Sequence, residues 1–241
     1  MEIRLDDYDY QLPADRIAQE PASRREDARL LVLDRSISRL TLKTFGQIGE
    51  HLRPGDLLVL NDARVFPARL FARRSTGGRV EVFLLGPDPS DPPRWRALLR
   101  PARAGRKPEA MALEEEPRAA VRAVEEEEGG RFRVEVLFAG EPLDAAGVLA
   151  LCEKAGEMPL PPYISRSPGD RRRSLDRERY QTVYAEHDGS VAAPTAGLHF
   201  TRELIDRLRT KGVTIAPLDL HVGPGTFKPV EIGRASCRER V

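Results

Sequence analysis

Thr201-Arg-Glu-Leu-Ile-Asp-Arg-Leu-Arg-Thr-Lys-Gly-Val-Thr-Ile-Ala-Pro-Leu218 decides the fold class of this chain. Thr201 is a helix N-cap residue, Leu204, Ile205 and Leu208 form a single apolar stripe, and Gly212 is a C-terminal stop. Residues 213–222 follow as a strand interrupted at Pro217, and residues 190–193 precede the helix as another. Strand, helix, strand in so short a span is a βαβ-like unit, so this region is α/β. Working back, Tyr180, Val183 and Tyr184 lie on one face of a helix expected over 176–186. Residues 158–164 form an extended proline-rich loop, and residues 144–155 a further helix. Nearer the N-terminus, a short helix enters at about Pro13 and another covers 44–52. Residues 28–34 and 57–60 read as buried strands, with a turn at Arg53-Pro-Gly-Asp56.

The texture differs between these parts. Segments 65–73, 79–85, 95–99, 118–124 and 131–138 are short, alternating and separated by turn residues. They indicate a small antiparallel barrel or sandwich. The Glu125–Glu128 run reads as a solvated loop, with Gly129-Gly130 at a hairpin tip. The expected architecture is an α/β main domain over 1–62 and 143–230, with an inserted all-β, barrel-like domain over 63–142.

With 241 residues, 40% hydrophobic and 32% charged, the composition is that of a globular protein. The net charge of +1 neither requires nor excludes a nucleic-acid partner. No apolar run reaches the length of a membrane span, and the first residues lack a signal-peptide pattern, so cytoplasmic location is expected. Cys152 and Cys237 have neither a disulfide framework nor a metal-ligand spacing.

Two of the four histidines stand in Gly/Pro/Thr-rich turns: His199 just past Gly197, and His221 just before Gly223-Pro-Gly225. If their strands are neighbours, both imidazoles reach one cleft, with Asp188 and Asp219 close by for acid–base work. Taken singly, either His could instead cap a strand end. No Cys or third His is spaced to join them, so no metal site is expected. The Gly223–Thr226 turn could cradle an anion. Tyr163, on a stiff loop, either stacks on a base or packs at the domain edge. Arg166 and Arg171-Arg172-Arg173 either bind RNA phosphates or are simply solvated. Asn61-Asp62-Ala-Arg64 is a further polar cluster that ligates a substrate or joins the domains.

Together, Leu57–Arg69 (with Asn61-Asp-Ala-Arg-Val-Phe-Pro at its centre), Met158-Pro-Leu-Pro-Pro-Tyr-Ile164, Arg177–Ala185, Ala193-Pro-Thr-Ala-Gly-Leu-His-Phe-Thr201 and Leu220-His-Val-Gly-Pro-Gly-Thr-Phe227 resemble the S-adenosylmethionine:tRNA ribosyltransferase-isomerase family. The resemblance implies a queuosine-pathway enzyme with an α/β domain and an inserted β-barrel. Such an enzyme moves the ribosyl part of S-adenosylmethionine, its cosubstrate, onto 7-aminomethyl-7-deazaguanine in tRNA. Epoxyqueuosine-tRNA forms, adenine and methionine leave, and no separate cofactor is expected. On that premise His199 or His221 is the base that takes the C5′ proton, with Asp188 or Asp219 beside the sulfonium. Thr195, Gly197, Gly225 and Thr226 hold the cosubstrate, while Tyr163, Arg166 and Arg171–Arg173 contact tRNA. The competing reading is a non-catalytic RNA- or nucleotide-binding module. Residues 231–241 lack apolar periodicity and family likeness and read as a translated sequencing adapter, so native sequence is expected to end near Val230, earlier than in the family.

Overall fold

Short strands joined by turns make up most of the molecule. The structure, a computed structural model, describes residue 7 and residues 9–167, 170–223 and 225. Strands β1 (Arg29–Asp34) and β2 (Arg39–Thr44) form an antiparallel hairpin that pairs Leu31 with Leu42 and Leu33 with Leu40. The expected strand at 28–34 therefore forms, but it is not buried: Leu31 and Leu33 are 60% and 58% exposed. A two-stranded ribbon has two faces, and among the described residues no second layer covers this one. The helix expected over 44–52 is a 3₁₀ turn, Phe45–His51, entered through a Thr44/Gln47 capping box. The N-terminal helix is a single 3₁₀ turn, Ala14–Arg16. Strand β3 (Leu57–Asn61) buries Leu60 but turns Leu57 and Val59 outward, which again corrects the buried-strand reading. Strand β4 (Ala63–Val65) follows after a single residue.

The next six strands are β5 (Arg69–Arg73), β6 (Arg79–Pro87), β7 (Trp95–Arg100), β8 (Ala110–Leu113), β9 (Ala119–Glu127) and β10 (Arg131–Phe138). They pair antiparallel in the order β10-β7-β6-β5-β8-β9, and β9 pairs back with β10 to close a barrel. Alternate residues point inward, so Leu70, Val80, Val82, Leu84, Trp95, Met111, Val121, Phe132 and Val134 fill it. Burying each Val or Leu contributes about 1.5–3 kcal/mol, against the ordering entropy. Strand β8 escapes sequence reading because Ala110-Met-Ala-Leu has little strand character. The Glu125–Glu128 run is not a loop. Glu125–Glu127 extend β9 and meet arginines: Glu125 pairs with Arg133, Glu126 with Arg106, and Glu127 with Arg96 and Arg133. Cross-strand charge neutralisation carries the strand where apolar residues do not.

After the short β11 (Glu141–Pro142), helix α1 (Ala145–Ala155) starts at Asp144, whose Oδ1 accepts from the Gly147 N–H at 2.7 Å. Its Val148, Leu151 and Cys152 cap the barrel core. Helix α2 (Arg173–Arg179) stops at Tyr180, well short of the expected 186. The cause is tertiary: the Gln181 side chain bonds both the N–H and the C=O of Val65, which pulls the chain out of helical register. Strand β12 (His187–Ser190) lies parallel to β4, earlier than the expected 190–193. Helix α3 (Arg202–Thr210) has the expected Thr201 cap and buries Leu204, Ile205 and Leu208 with Leu60, Phe200 and Val213. Strand β13 (Thr214–Leu218) runs parallel to β3 and ends four residues before the expected boundary. The fold is thus α/β with a closed β-barrel.

Candidate functional site

The two parallel pairings, β3 with β13 and β4 with β12, meet at Asp62, the single residue between β3 and β4. Its N–H donates to Leu218 C=O at 3.1 Å, and its C=O accepts from Glu186 N–H at 2.8 Å. The chain leaving β13 is strapped on both sides. Asn61 Nδ2 donates to Leu220 C=O at 2.9 Å, while Ser190 Oγ accepts from Val222 N–H at 3.1 Å. His221 lies between these two anchors. Gly189, at φ +139°, makes room for its ring: a Cβ there would stand 2.5 Å from His221 Cε1.

Strand ends of this kind are where open α/β sheets place ligands. Here they gather Asp62, His187 and Asp219, with one donor atom from each within 4.8 Å of the others. His221 Nε2 is 3.2 Å from Asp219 Oδ1, and His187 Nδ1 is 3.6 Å from Asp62 Oδ2. Asp62 is buried and its Oδ1 has no hydrogen-bond partner among the described residues. Burial, and then the charge of Asp62, push the Tyr184 hydroxyl up to about 12. That hydroxyl occupies the space a Cβ on Gly197 would need, so the Gly197 turn closes against the same region. The sequence spacing pointed to no metal site; the fold nonetheless gathers three metal-competent donors.

The expected site residues divide between surroundings. Asp219 and His221 belong to the cluster. His199 ends the 3₁₀ turn Thr195–His199; its Nδ1 lies 3.3 Å from Ala196 C=O, and its ring stands 5.2 Å from Phe45. Its recorded contacts are thus different from those of His221. Asp188 faces the opposite side of β12 from His187 and pairs with Arg64 at 3.4 Å. Thr195 is exposed, a Cβ on Gly225 would meet nothing among the described residues, and Thr226 lies outside them, as do residues 231–241.

Tyr163 is 55% exposed on its loop. Arg166 is committed to Asp176 through two hydrogen bonds of 2.7 and 2.8 Å. Arg172 grips Asp170, holding that carboxyl well below its usual range, and Arg173 pairs with Glu115 and Glu157. Arg171 is exposed. Sequence reasoning missed His187, which sits in a polar Glu-His-Asp run with no pattern around it. It also left Asp62 undecided, although the Asn61-Asp62 strand end was a usable signal.

Residues 5–239 match the family model described as queuosine biosynthesis protein, a span that runs into the tail set apart above. The chain is 48% identical over 229 residues to the S-adenosylmethionine:tRNA ribosyltransferase-isomerase of Magnetococcus marinus, covering 95% of this chain and 60% of that one. It is 46% identical over 232 residues to the protein of the same name from Geobacter metallireducens, covering 96% and 64%. The crystal structure of the S-adenosylmethionine tRNA ribosyltransferase from Thermotoga maritima is 30% identical, covering 90% of this chain and 58% of that one, with a TM-score of 0.34. The chain spans less than two thirds of the length of these relatives.

Proposed function

The chain belongs to the queuosine biosynthesis protein family, and from that premise we propose that it acts in transferring and isomerising the ribosyl group of S-adenosylmethionine onto 7-aminomethyl-7-deazaguanine in tRNA. Epoxyqueuosine-tRNA is the product, with adenine and methionine released. The carrying observation is the family match over residues 5–239, and the side-chain cluster at the β3 and β13 ends lies within it. The setting is the cytoplasm; among the described residues no helix is long and apolar enough to cross a membrane.

A sulfonium acidifies the neighbouring C5′–H, so the reaction needs a base that titrates near neutrality. His221 suits that role better than His199, because Asp219 stands 3.2 Å from its ring and stabilises the imidazolium once the proton arrives. Thr195 and Gly197, with Gly225 and Thr226, line the cosubstrate. Tyr163 and Arg171 offer free surface to tRNA. Arg166, Arg172 and Arg173, with their charges spent on carboxylates, brace that loop. Asp188, paired with Arg64, is a weaker partner for a sulfonium than Asp219.

The test is release of adenine and methionine from S-adenosylmethionine, dependent on tRNA carrying the modified base. One adenine should appear per nucleoside modified; binding without release would make the chain a nucleotide- or RNA-binding module instead. His221→Ala should cut turnover by roughly 10²–10⁴-fold while leaving cosubstrate affinity nearly intact, and His199→Ala should cost much less. The reverse order would transfer the base's role to His199.

A further inference from the structure

Asp62 has no task in the proton transfer assigned to His221 and Asp219, yet it is the buried member of their cluster. Only 5% of the residue is exposed, and its Oδ1 has no hydrogen-bond donor among the described residues. Its other oxygen is 3.6 Å from His187 Nδ1, too far for a good hydrogen bond. A buried carboxylate oxygen without a donor is costly, far more so than one in water. No Lys or Arg forms an ion pair with Asp62 or Asp219 among the described residues; their recorded partners are the two histidines. Arg64, two residues from Asp62, is turned to Asp188. Two carboxylates thus lie together, with His187 and Asp219 exposed beside Asp62, and no cationic side chain but the two histidines pairs with them among the described residues.

We infer that Asp62, supported by Asp219, is the receptor for an onium group of the cosubstrate, either the sulfonium or the α-ammonium of S-adenosylmethionine. The identity of that ligand rests on the functional reading above; the need for a cation rests on Asp62 itself. Tyr184 stands near enough for the charge of Asp62 to join burial in pushing its hydroxyl up to about 12, and onium groups gain from a neighbouring aromatic side chain. Entry of the cation neutralises the buried carboxylate. It also sets the sulfonium beside the His221–Asp219 pair, where the acidified C5′–H must lie.

Binding of three ligands to the intact chain and to Asp62→Asn separates the possibilities: S-adenosylmethionine, neutral-sulfur S-adenosylhomocysteine, and 5′-methylthioadenosine, which lacks the amino acid. If Asp62 holds the sulfonium, the variant loses roughly ten- to hundredfold for S-adenosylmethionine alone. If it holds the ammonium, the first two ligands weaken and methylthioadenosine does not. Either result supports the inference. Equal loss for all three ligands, or loss for none, overturns it. So does one-to-one Mn²⁺ or Zn²⁺ binding that Asp62→Asn abolishes, which would make the three donors a metal site. Asp219→Asn, at an exposed position that tolerates the change, should reproduce the same selectivity pattern more weakly; an unchanged pattern would count against the shared receptor. A wild-type chain that binds none of the three ligands would bring down the functional reading itself, whereas normal wild-type binding with an indifferent Asp62→Asn would bring down this inference alone.

Discussion

His221 is held by bonds made on either side of it, through Leu220 to Asn61 and through Val222 to Ser190. Its ring lies over Gly189, whose φ of +139° is open only to glycine at low cost. Gly189→Ala both strains the backbone and drives a methyl into the imidazole, so β12 must move or the ring must leave Asp219. The expected outcome is a loss of about 1–3 kcal/mol in denaturant unfolding, with displaced His221 ring resonances by NMR. Unchanged stability and ring resonances would mean that the ring is free to move. None of this was readable from the residue types, because Gly189 carries no local sign that His221 lies above it. The conformation that glycine permits decides how close two distant segments can come.

Elements with their own local signals were legible, and those held by distant partners were not. Helix α3 was read correctly because its cap, stripe and stop lie within one short stretch. Helix α1 forms over nearly the expected 144–155, with Asp144 as its cap. Strand β12, His-Asp-Gly-Ser, has no strand propensity of its own and exists because β4 pairs with it. The end of α2 is set by Gln181 reaching back to Val65. Within the barrel, charge does similar work. Ser75 and Arg74 bond Glu109 and hold its carboxyl down to about 2 from an ordinary 4.5. A depressed carboxylate favours folding when ionised, so this contribution is complete above about pH 4.5 and is lost as pH falls to about 2. Glu109→Gln should therefore flatten the acid limb of a stability–pH profile in that window and leave its slope near neutrality alone. An acid limb identical to that of the parent would show that the interaction does not stabilise the fold.

Across the whole molecule, the barrel is filled and the α/β part is covered unevenly. Leu31, Leu33, Leu40 and Leu42 form an exposed apolar ladder on the β1–β2 hairpin, and Leu57, Val59, Leu218 and Leu220 are exposed on or beside β3 and β13. Contiguous apolar surface of this kind promotes association. Replacing Leu31 and Leu42 by Thr should reduce concentration-dependent self-association in sedimentation velocity while changing stability by only about 0.5 kcal/mol per site. A large stability loss would show that the ladder is buried in solution. The sequence by itself determined the fold class, the barrel-like β segment, the capped helices and the family resemblance, because periodicity, caps and motifs act over a few residues. Only the tertiary structure brought Asp62, His187, Asp219 and His221 together, left one carboxylate oxygen of Asp62 unpaired, and gave His199 and His221 different neighbours. Those relations depend on which strands lie parallel and in what register, and pairing between distant segments leaves no local pattern in the chain.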